Sequence, residues 1–129
     1  MKPDDLAVVR GAYEAFGSGD IDVLTSLLHP EIEWRTTAEV PFLGTYRGVD
    51  EFLRGMNEWT DAFDDLTTSV EEMTEVGEHV LVCHRMHGRG TGSGAEVDLV
   101  LWQLVSVRDG QLVRMYDYSS RDEALEAAK

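Results

Sequence analysis

From residue 65 onward the hydrophobic period switches from helical to alternating, and this switch limits the available folds more than any other feature. "LTTSVEEMTEV", "HVLVCHRMHGR", "EVDLVLWQLVSV" and "QLVRMYDYS" predict four strands. Only "VGEH", "GTGSG" and "RDG" separate them, and these are rich in residues that tolerate positive φ. Turns this short can join only antiparallel neighbours. The first half has the other period. Leu6, Val9, Tyr13 and Phe16 recur at helical spacing after Pro3, Asp4 and Asp5. Asp20 is placed to cap a short second helix with Ile21, Leu24 and Leu28 on one face, stopped by Pro30. "EIEWRT" predicts a short strand and "AEVPFLGTYRG" a loop. Val49, Phe52, Leu53, Met56, Trp59 and Phe63 mark a third helix. Ser120 and Glu123 have capping-box spacing before a last helical turn or two. Three helices followed by a long meander predict an α+β fold, the helices packed on one face of an antiparallel sheet. At 129 residues, with no linker or internal repeat, the expectation is a single domain over 1–129.

Charge removes several function classes. A formal net charge of −14 is the opposite of what phosphate binding needs, so neither nucleic acid nor an anionic membrane is an expected partner. No apolar run has transmembrane length, and "MKPDDLAVVR" lacks the features of a signal peptide. With Cys83 alone there is no internal disulfide, which fits a cytoplasmic location. Cys83 itself lies in an apolar run and is expected to pack as a small hydrophobe rather than act as a nucleophile. "HRMH" puts His84 and His87 on opposite faces of a strand, so no metal site is predicted, and no phosphate loop or dinucleotide fingerprint calls for a cofactor.

One residue stands out chemically. In "LVRMYDYSS", Asp117 sits between two tyrosines on a strand whose other residues pack. If it faces the interior, loss of water raises its pKa toward neutrality, where proton transfer works best. If it faces outward or meets Arg85, it is a structural carboxylate on an ion pair. Both readings stand at the level of residue types. Tyr13, Phe16, Trp59 and Phe63 lie on helical faces that must pack on the sheet.

The order of several weak signals carries a resemblance. An aromatic pair in helix one, then "GSGDIDVLTSLLHPEIEW", "GTYRGVDEF" and "VRDGQLVRMYDY" make the chain similar to the SnoaL-like branch of the nuclear transport factor 2-like superfamily, from about Leu6 to Ala127. The resemblance implies a cone, a strongly curved sheet around a deep apolar pocket closed by the N-terminal helices. It also implies frequent dimers through the outer sheet face. Strands such as "VLVCH" and "LVLWQLVSV", apolar on both faces, add to the expectation of a homodimer.

The same resemblance orients the strands. It puts Trp34 and Thr36 inward, with Leu81, Cys83, Arg85, His87 and Arg89 on one strand. Val100, Trp102 and Leu104 follow on the next, and Val113, Met115 and Asp117 on the last. A one-residue change at "GTGSG" would bring in His84 instead. Ketosteroid isomerases, in the same superfamily, need a carboxylate base, a protonated Asp and a helix-one Tyr. The matching positions here are about Thr36, Trp102 and Ala12, with Tyr13 one step off, so that mechanism is not expected. SnoaL-like cyclases carry an acid/base Asp where Tyr116-Asp117 stands. Limonene epoxide hydrolase has Arg-x-Asp where this chain reads Arg85-x-His87. The expected catalytic set is therefore Asp117 as acid/base, Arg85 as holder of an oxyanion and His87 as proton relay. The expected substrate-binding set is Trp34, Trp102, Met115, Tyr13, Phe42, Tyr46 and Trp59. The implied function is a cofactor-free cyclase, isomerase or hydrolase on a small hydrophobic, polyketide-like or epoxide substrate. The alternative is a non-catalytic binding or interaction domain with the same pocket.

Overall fold

The computed structural model of the chain describes residues 3–36 and 44–129. Its elements are α1 (Pro3–Ser18), α2 (Ile21–Ser26), β1 (Leu28–Arg35), β2 (Thr45–Arg47), α3 (Val49–Asp61), β3 (Phe63–Val76), β4 (His79–Gly90), β5 (Glu96–Arg108), β6 (Gln111–Tyr118) and α4 (Arg121–Ala127). The fold is α+β, a curved six-stranded sheet in the order β2-β1-β6-β5-β4-β3. The meander β3 to β6 is antiparallel as expected, but β1 lies parallel to β6, so the sheet is mixed. Among the described residues no helix is long and apolar enough to cross a membrane.

Local chemistry sets most boundaries. The Asp20 carboxylate accepts from the Val23 N–H at 3.2 Å and starts α2, and Ser120 does the same for Glu123 at the start of α4. Two expectations near the first strand are corrected. Helix α2 ends at Ser26, and Leu28 instead opens β1, 2% exposed and paired with Leu112. Pro30 is tolerated inside β1 because it falls in the irregular stretch between Leu28 and Glu33, where the ladder to β6 is interrupted. The second correction lies within "AEVPFLGTYRG". Its last residues, Thr45–Arg47, pair with Arg35–Glu33 as β2, a strand too short to show a period in sequence.

Helices α1 and α3 close the concave face. Val9, Ala12, Tyr13 and Ala15 from α1, and Phe52, Met56 and Trp59 from α3, are all buried. Gly55 lets α3 approach β2 closely: a Cβ there would stand 2.8 Å from the Tyr46 ring. Helix α4 does not join them. Ala124 and Leu125 pack on Leu81, Leu104, Trp102 and Tyr118, which belong to the opposite, outer face. The helices therefore occupy both faces, and α4 accounts for part of the outer apolar surface. Cys83 is buried, and burial pushes its thiol up, as suits a small hydrophobe.

The inward and outward sets follow from one irregularity. Asp109 and Gly110, both at positive φ, form the β5–β6 turn and bring Arg108 opposite Gln111 and Val107 opposite Leu112. Continued unbroken, that register would set Trp102 opposite Asp117, on one shared face. Val113 is an extra residue instead, and Ser106 pairs with Arg114, so that Gln103 stands opposite Asp117. Because β4 pairs with β5 without a shift, His84 shares the face of Leu101 and Cys83 that of Trp102. The bulge thus turns inward Val80, Val82, His84 and Met86 on β4, and Leu101, Gln103 and Val105 on β5. Arg85, His87, Arg89 and Trp102 go outward, against expectation. Val113 does not share the buried inner set of Leu112, Met115 and Asp117.

Deleting Val113 removes the extra residue without changing any partner: Arg114 then follows Leu112 directly, Ser106 still meets Arg114 and Gln103 still meets Asp117, so Met115 and Asp117 keep the inner face. The expected loss in urea unfolding is about 1 kcal/mol, the contribution of one half-buried side chain, and Val113→Ala should cost a similar amount. A loss of several kcal/mol on deletion alone would mean that Val113 is a paired residue whose removal exchanges the faces.

Candidate active site

Asp117 on β6, 5% exposed, is the buried carboxylate of the concave face, beside buried Gln103 and His84. Its Oδ2 accepts from the Trp34 indole N–H at 3.1 Å, and its Oδ1 from the Gln103 amide at 2.7 Å. The Gln103 carbonyl oxygen in turn accepts from the Tyr13 hydroxyl. Three strands and a helix therefore meet in one chain of donors, Tyr13 to Gln103 to Asp117, with Trp34 from the other side. Burial pushes the Asp117 carboxyl up to about 7, while the hydrogen bonds from Gln103 and Trp34 pull the other way and lose. No cation stands among these partners. Burial, and then the nearby Asp117, hold the Tyr13 phenol well above its ordinary value, so it remains a donor at neutral pH.

Beside this chain lies His84, 4% exposed, with its ring edge-on to Tyr13 and Phe16 at 5.0 and 5.8 Å between centroids. Among the described residues nothing hydrogen-bonds to its ring. Burial lowers its pKa to about 4, so it is a neutral imidazole at pH 7.

A cavity of about 60 Å³, counted as room for the centres of water-sized molecules, opens in front of these groups. Tyr13, His84 and Gln103 supply its polar atoms, and Trp34, Trp59 and Met115 are among its apolar walls. That is room for a few waters or one small group. Asp117 is not on the lining, whereas Trp34 and Gln103, the two donors to its carboxyl, are. The Trp59 indole N–H points to the Met86 sulfur at 2.8 Å, which fixes that wall.

The expected residues sort clearly. Asp117, Trp34, Met115, Tyr13 and Trp59 converge on this region. Tyr46 is buried but stacks behind Trp34, 5.1 Å between centroids, and backs the wall without lining it. Phe42 lies outside the described residues. Arg85 and His87 are exposed on the outer face, with the Arg85 guanidinium bonded to both Asp98 carboxylate oxygens at 3.0 and 2.6 Å. Neither reaches Asp117, so an Arg85–Asp117 pair is also ruled out. Trp102 lies against α4. The cause in all three cases is the bulge at Val113. Gln103 was missed for the same reason, since the unbroken register turned it outward; His84 was the stated alternative on β4.

The comparisons with known proteins agree with this geometry at the level of fold and family. Residues 9–115 match the family model of the SnoaL-like domain, a match that stops just short of Asp117. An uncharacterized protein of Mycobacterium tuberculosis (strain H37Rv) is 26% identical over 125 residues, covering 95% of this chain and 94% of its own length. Among solved structures, a nuclear transport factor 2-like protein from Burkholderia thailandensis superposes with a TM-score of 0.82 at 22% identity, covering 100% of this chain and 99% of that one. TerC, co-crystallised with polyporic acid, superposes with a TM-score of 0.76 at 20% identity, covering 96% and 97%.

The two displaced pKa values make opposite contributions to stability. Asp117 is raised in the fold, so its contribution is complete below its unfolded value and is lost as pH rises through about 7. His84 is depressed, so the fold binds fewer protons than the unfolded chain between about 4 and 6.5 and gains stability as pH rises there. The contributions are on the order of 4 kcal/mol for Asp117 and 3 kcal/mol for His84, and they oppose one another over most of that range. In urea titrations at a series of pH values, the advantage of wild type over Asp117→Asn should shrink from pH 4 to 8, and that over His84→Phe should grow from pH 4 to 6.5. Curves that stay parallel would contradict the assignment.

Proposed function

The chain belongs to the SnoaL-like family, and we propose that it is a cofactor-free acid/base enzyme of the cyclase, isomerase or hydrolase type, acting on a small hydrophobic molecule. The observation that carries this reading is Asp117, 95% removed from solvent, its pKa near neutrality with no cation among its partners, one hydrogen bond behind the wall of an apolar cavity. A group that titrates near 7 is present in both protonation states at working pH, which is the requirement for taking a proton and giving it back. In this mechanism ionised Asp117 takes a proton from carbon or oxygen next to a substrate carbonyl. The Tyr13 hydroxyl and the neutral His84 ring are the donors within reach of the oxygen on which charge develops. Asp117, now protonated, returns the proton at the new position. The walls of Trp34, Trp59 and Met115 favour a ring or short apolar skeleton. TerC, the structural neighbour co-crystallised with polyporic acid, makes a ring-bearing molecule the first class to try.

A second reading has its own support. Asp117 does not line the cavity, and both of its oxygens already have a donor, so the Tyr13–Gln103–Asp117 chain also suits a rigid brace in a non-catalytic binding domain. Asp117→Asn separates the two. The new amide is satisfiable: its oxygen keeps the Trp34 N–H, Gln103 reverses its amide, and Tyr13 accepts instead of donating. Turnover should therefore fall about a hundredfold or more with little change in ligand affinity. The wild-type rate should also rise with pH through about 7, where Asp117 loses its proton, and that limb should vanish in the variant. Wild-type turnover in a folded variant would leave only the brace.

We also propose that the protein is a cytoplasmic homodimer, associated through the outer face of β3–β5. Helix α4 covers only part of that face, and Val100 stays 38% exposed beside the Arg85–Asp98 pair. Light scattering at micromolar concentration should give twice the chain mass of 14.4 kDa, and Val100→Glu should shift it toward the monomer. A monomer mass for the wild type would remove this proposal.

A further inference from the structure

A second, larger space lies on the other side of Tyr13 and His84. About 590 Å³ in extent, it runs between α1 and β3 and is walled by Arg10 and Glu14 on the helix and by Thr68, Val70 and Glu71 on the strand. Tyr13 and His84 line both this groove and the inner cavity, so the two spaces meet at that pair. The local sequence explains the gap. Helix α1 approaches β3 at Gly17, where a Cβ would stand 3.4 Å from the Thr68 hydroxyl. Beyond that point β3 bulges between Val70 and Glu72, and Val70, on the inner side of the sheet opposite His84, remains 41% exposed.

We propose that this groove is the outer half of the ligand site, holding the uncharged or cationic polar extension of a small ring-bearing ligand whose apolar end occupies the inner cavity. Three observations converge on it. The inner cavity alone is too small for a molecule of ordinary ligand size, whereas the two spaces together fall in the usual range. His84, buried and without a hydrogen bond among the described residues, stands at the junction. Among the described residues no fully buried side-chain nitrogen is left without a partner, and the His84 ring borders both spaces, so it is placed to hydrogen-bond a ligand atom in either. The charge of the groove then selects the extension. Among the described residues that line it, Glu71 and Glu72 are held by outer-face cations, Arg85 at 3.8 Å and Arg121 at 3.1 Å, and Arg10 is matched on α1 by Glu14, so the groove has no unopposed cation to hold an anion. An anionic tail would meet Glu14 and a protein of net charge −14. The assignment goes beyond the acid/base reading and does not rest on it, since it concerns where a ligand sits.

The test uses three probes with one ring and one chain length, phenylbutylamine, phenylbutanol and phenylbutyrate. Binding is followed by calorimetry and by the fluorescence of Trp34 and Trp59. At neutral pH the amine and the alcohol should bind about tenfold or more tighter than the carboxylate. Glu14→Lys should narrow or invert the order of amine and carboxylate. His84→Phe, which keeps the ring and removes its nitrogens, should weaken the alcohol about tenfold. Thr68→Trp, which fills the groove, should abolish binding of all three yet leave toluene bound in the inner cavity. Asp117→Asn is the control. The order should survive in it, because the discrimination resides in the groove. An order that collapses in Asp117→Asn but not in Glu14→Lys would place the discrimination at the inner acid and overturn the assignment. Equal binding of the carboxylate, or failure of all chain-bearing probes in the wild type, would overturn it too. Loss of turnover evidence with the binding order intact would sink only the enzyme reading.

Discussion

The hydrogen bond from Gln103 to Asp117 is the contact on which the concave face depends. It exists because one residue, Val113, has no partner on β5. A bulge adds a single residue to one strand, but side chains alternate with period two, so that residue exchanges the two faces of everything paired beyond it. Strands β4 and β5 are locked to each other without a shift, and both turn together. Gln103 and His84 face the cavity in consequence, and the cations Arg85 and Arg89 face water. Had Val113 taken a partner on β5, the unbroken register would have set Trp102 opposite Asp117, put Arg85 and Arg89 on the face of the carboxylate and removed its amide partner. The core would then be an ion-pair site instead of an apolar one.

That exchange decides the electrostatics of the interior. Ion pairs of the described residues, such as Arg85–Asp98, Arg121–Glu72 and Arg47–Glu33, lie where water screens them, and each contributes little to stability. Inside, charge is avoided by protonation instead. Burial raises an acid and lowers a base, so Asp117 and His84 both move toward their neutral forms for one physical reason. The cavity thus sits close to neutral within a strongly acidic protein. It offers neutral donors and one carboxyl that can hold or release a proton, and no fixed cation to clamp an anionic substrate.

Much of this was legible in the sequence, and the losses have a physical pattern. The strands β3 to β6, their turns and the caps at Asp20 and Ser120 follow from period and turn chemistry, which are local properties. The facing of Trp34, Met115 and Asp117 came instead from the family resemblance, which chose between the two faces that alternation leaves open. Two short or interrupted pieces were lost: β2 has three residues, and β1 runs through a proline at a break in its ladder. Arg85, His87 and Trp102 were misplaced by a bulge that leaves no mark in "QLVRMYDYS". That run alternates acceptably in either register, and only the pairing of Ser106 with Arg114 reveals the extra residue. The site was therefore half legible. Its acid could be found from its odd position between two tyrosines, whereas its amide and imidazole depended on a long-range register.

The position of Asp117 behind the lining also decides from which side a substrate can reach it. Trp34 is held firmly. Its ring stacks on Tyr46 at 5.1 Å and packs on Phe52 at 5.4 Å, and Tyr46 in turn packs against Gly55 of α3. Gln103 is held differently, by the Tyr13 hydroxyl on α1 and by Asp117 itself. Behind Tyr13 lies the groove, not packed core. A small outward shift of α1 would free the Gln103 amide by breaking one hydrogen bond, whereas moving Trp34 would disturb two aromatic contacts and a helix–strand junction. Each carboxylate oxygen keeps a second acceptor site beside the donor it already has. The accessible face of Asp117 is therefore its Gln103 side, and the helix that controls it is the one whose outer surface borders the groove.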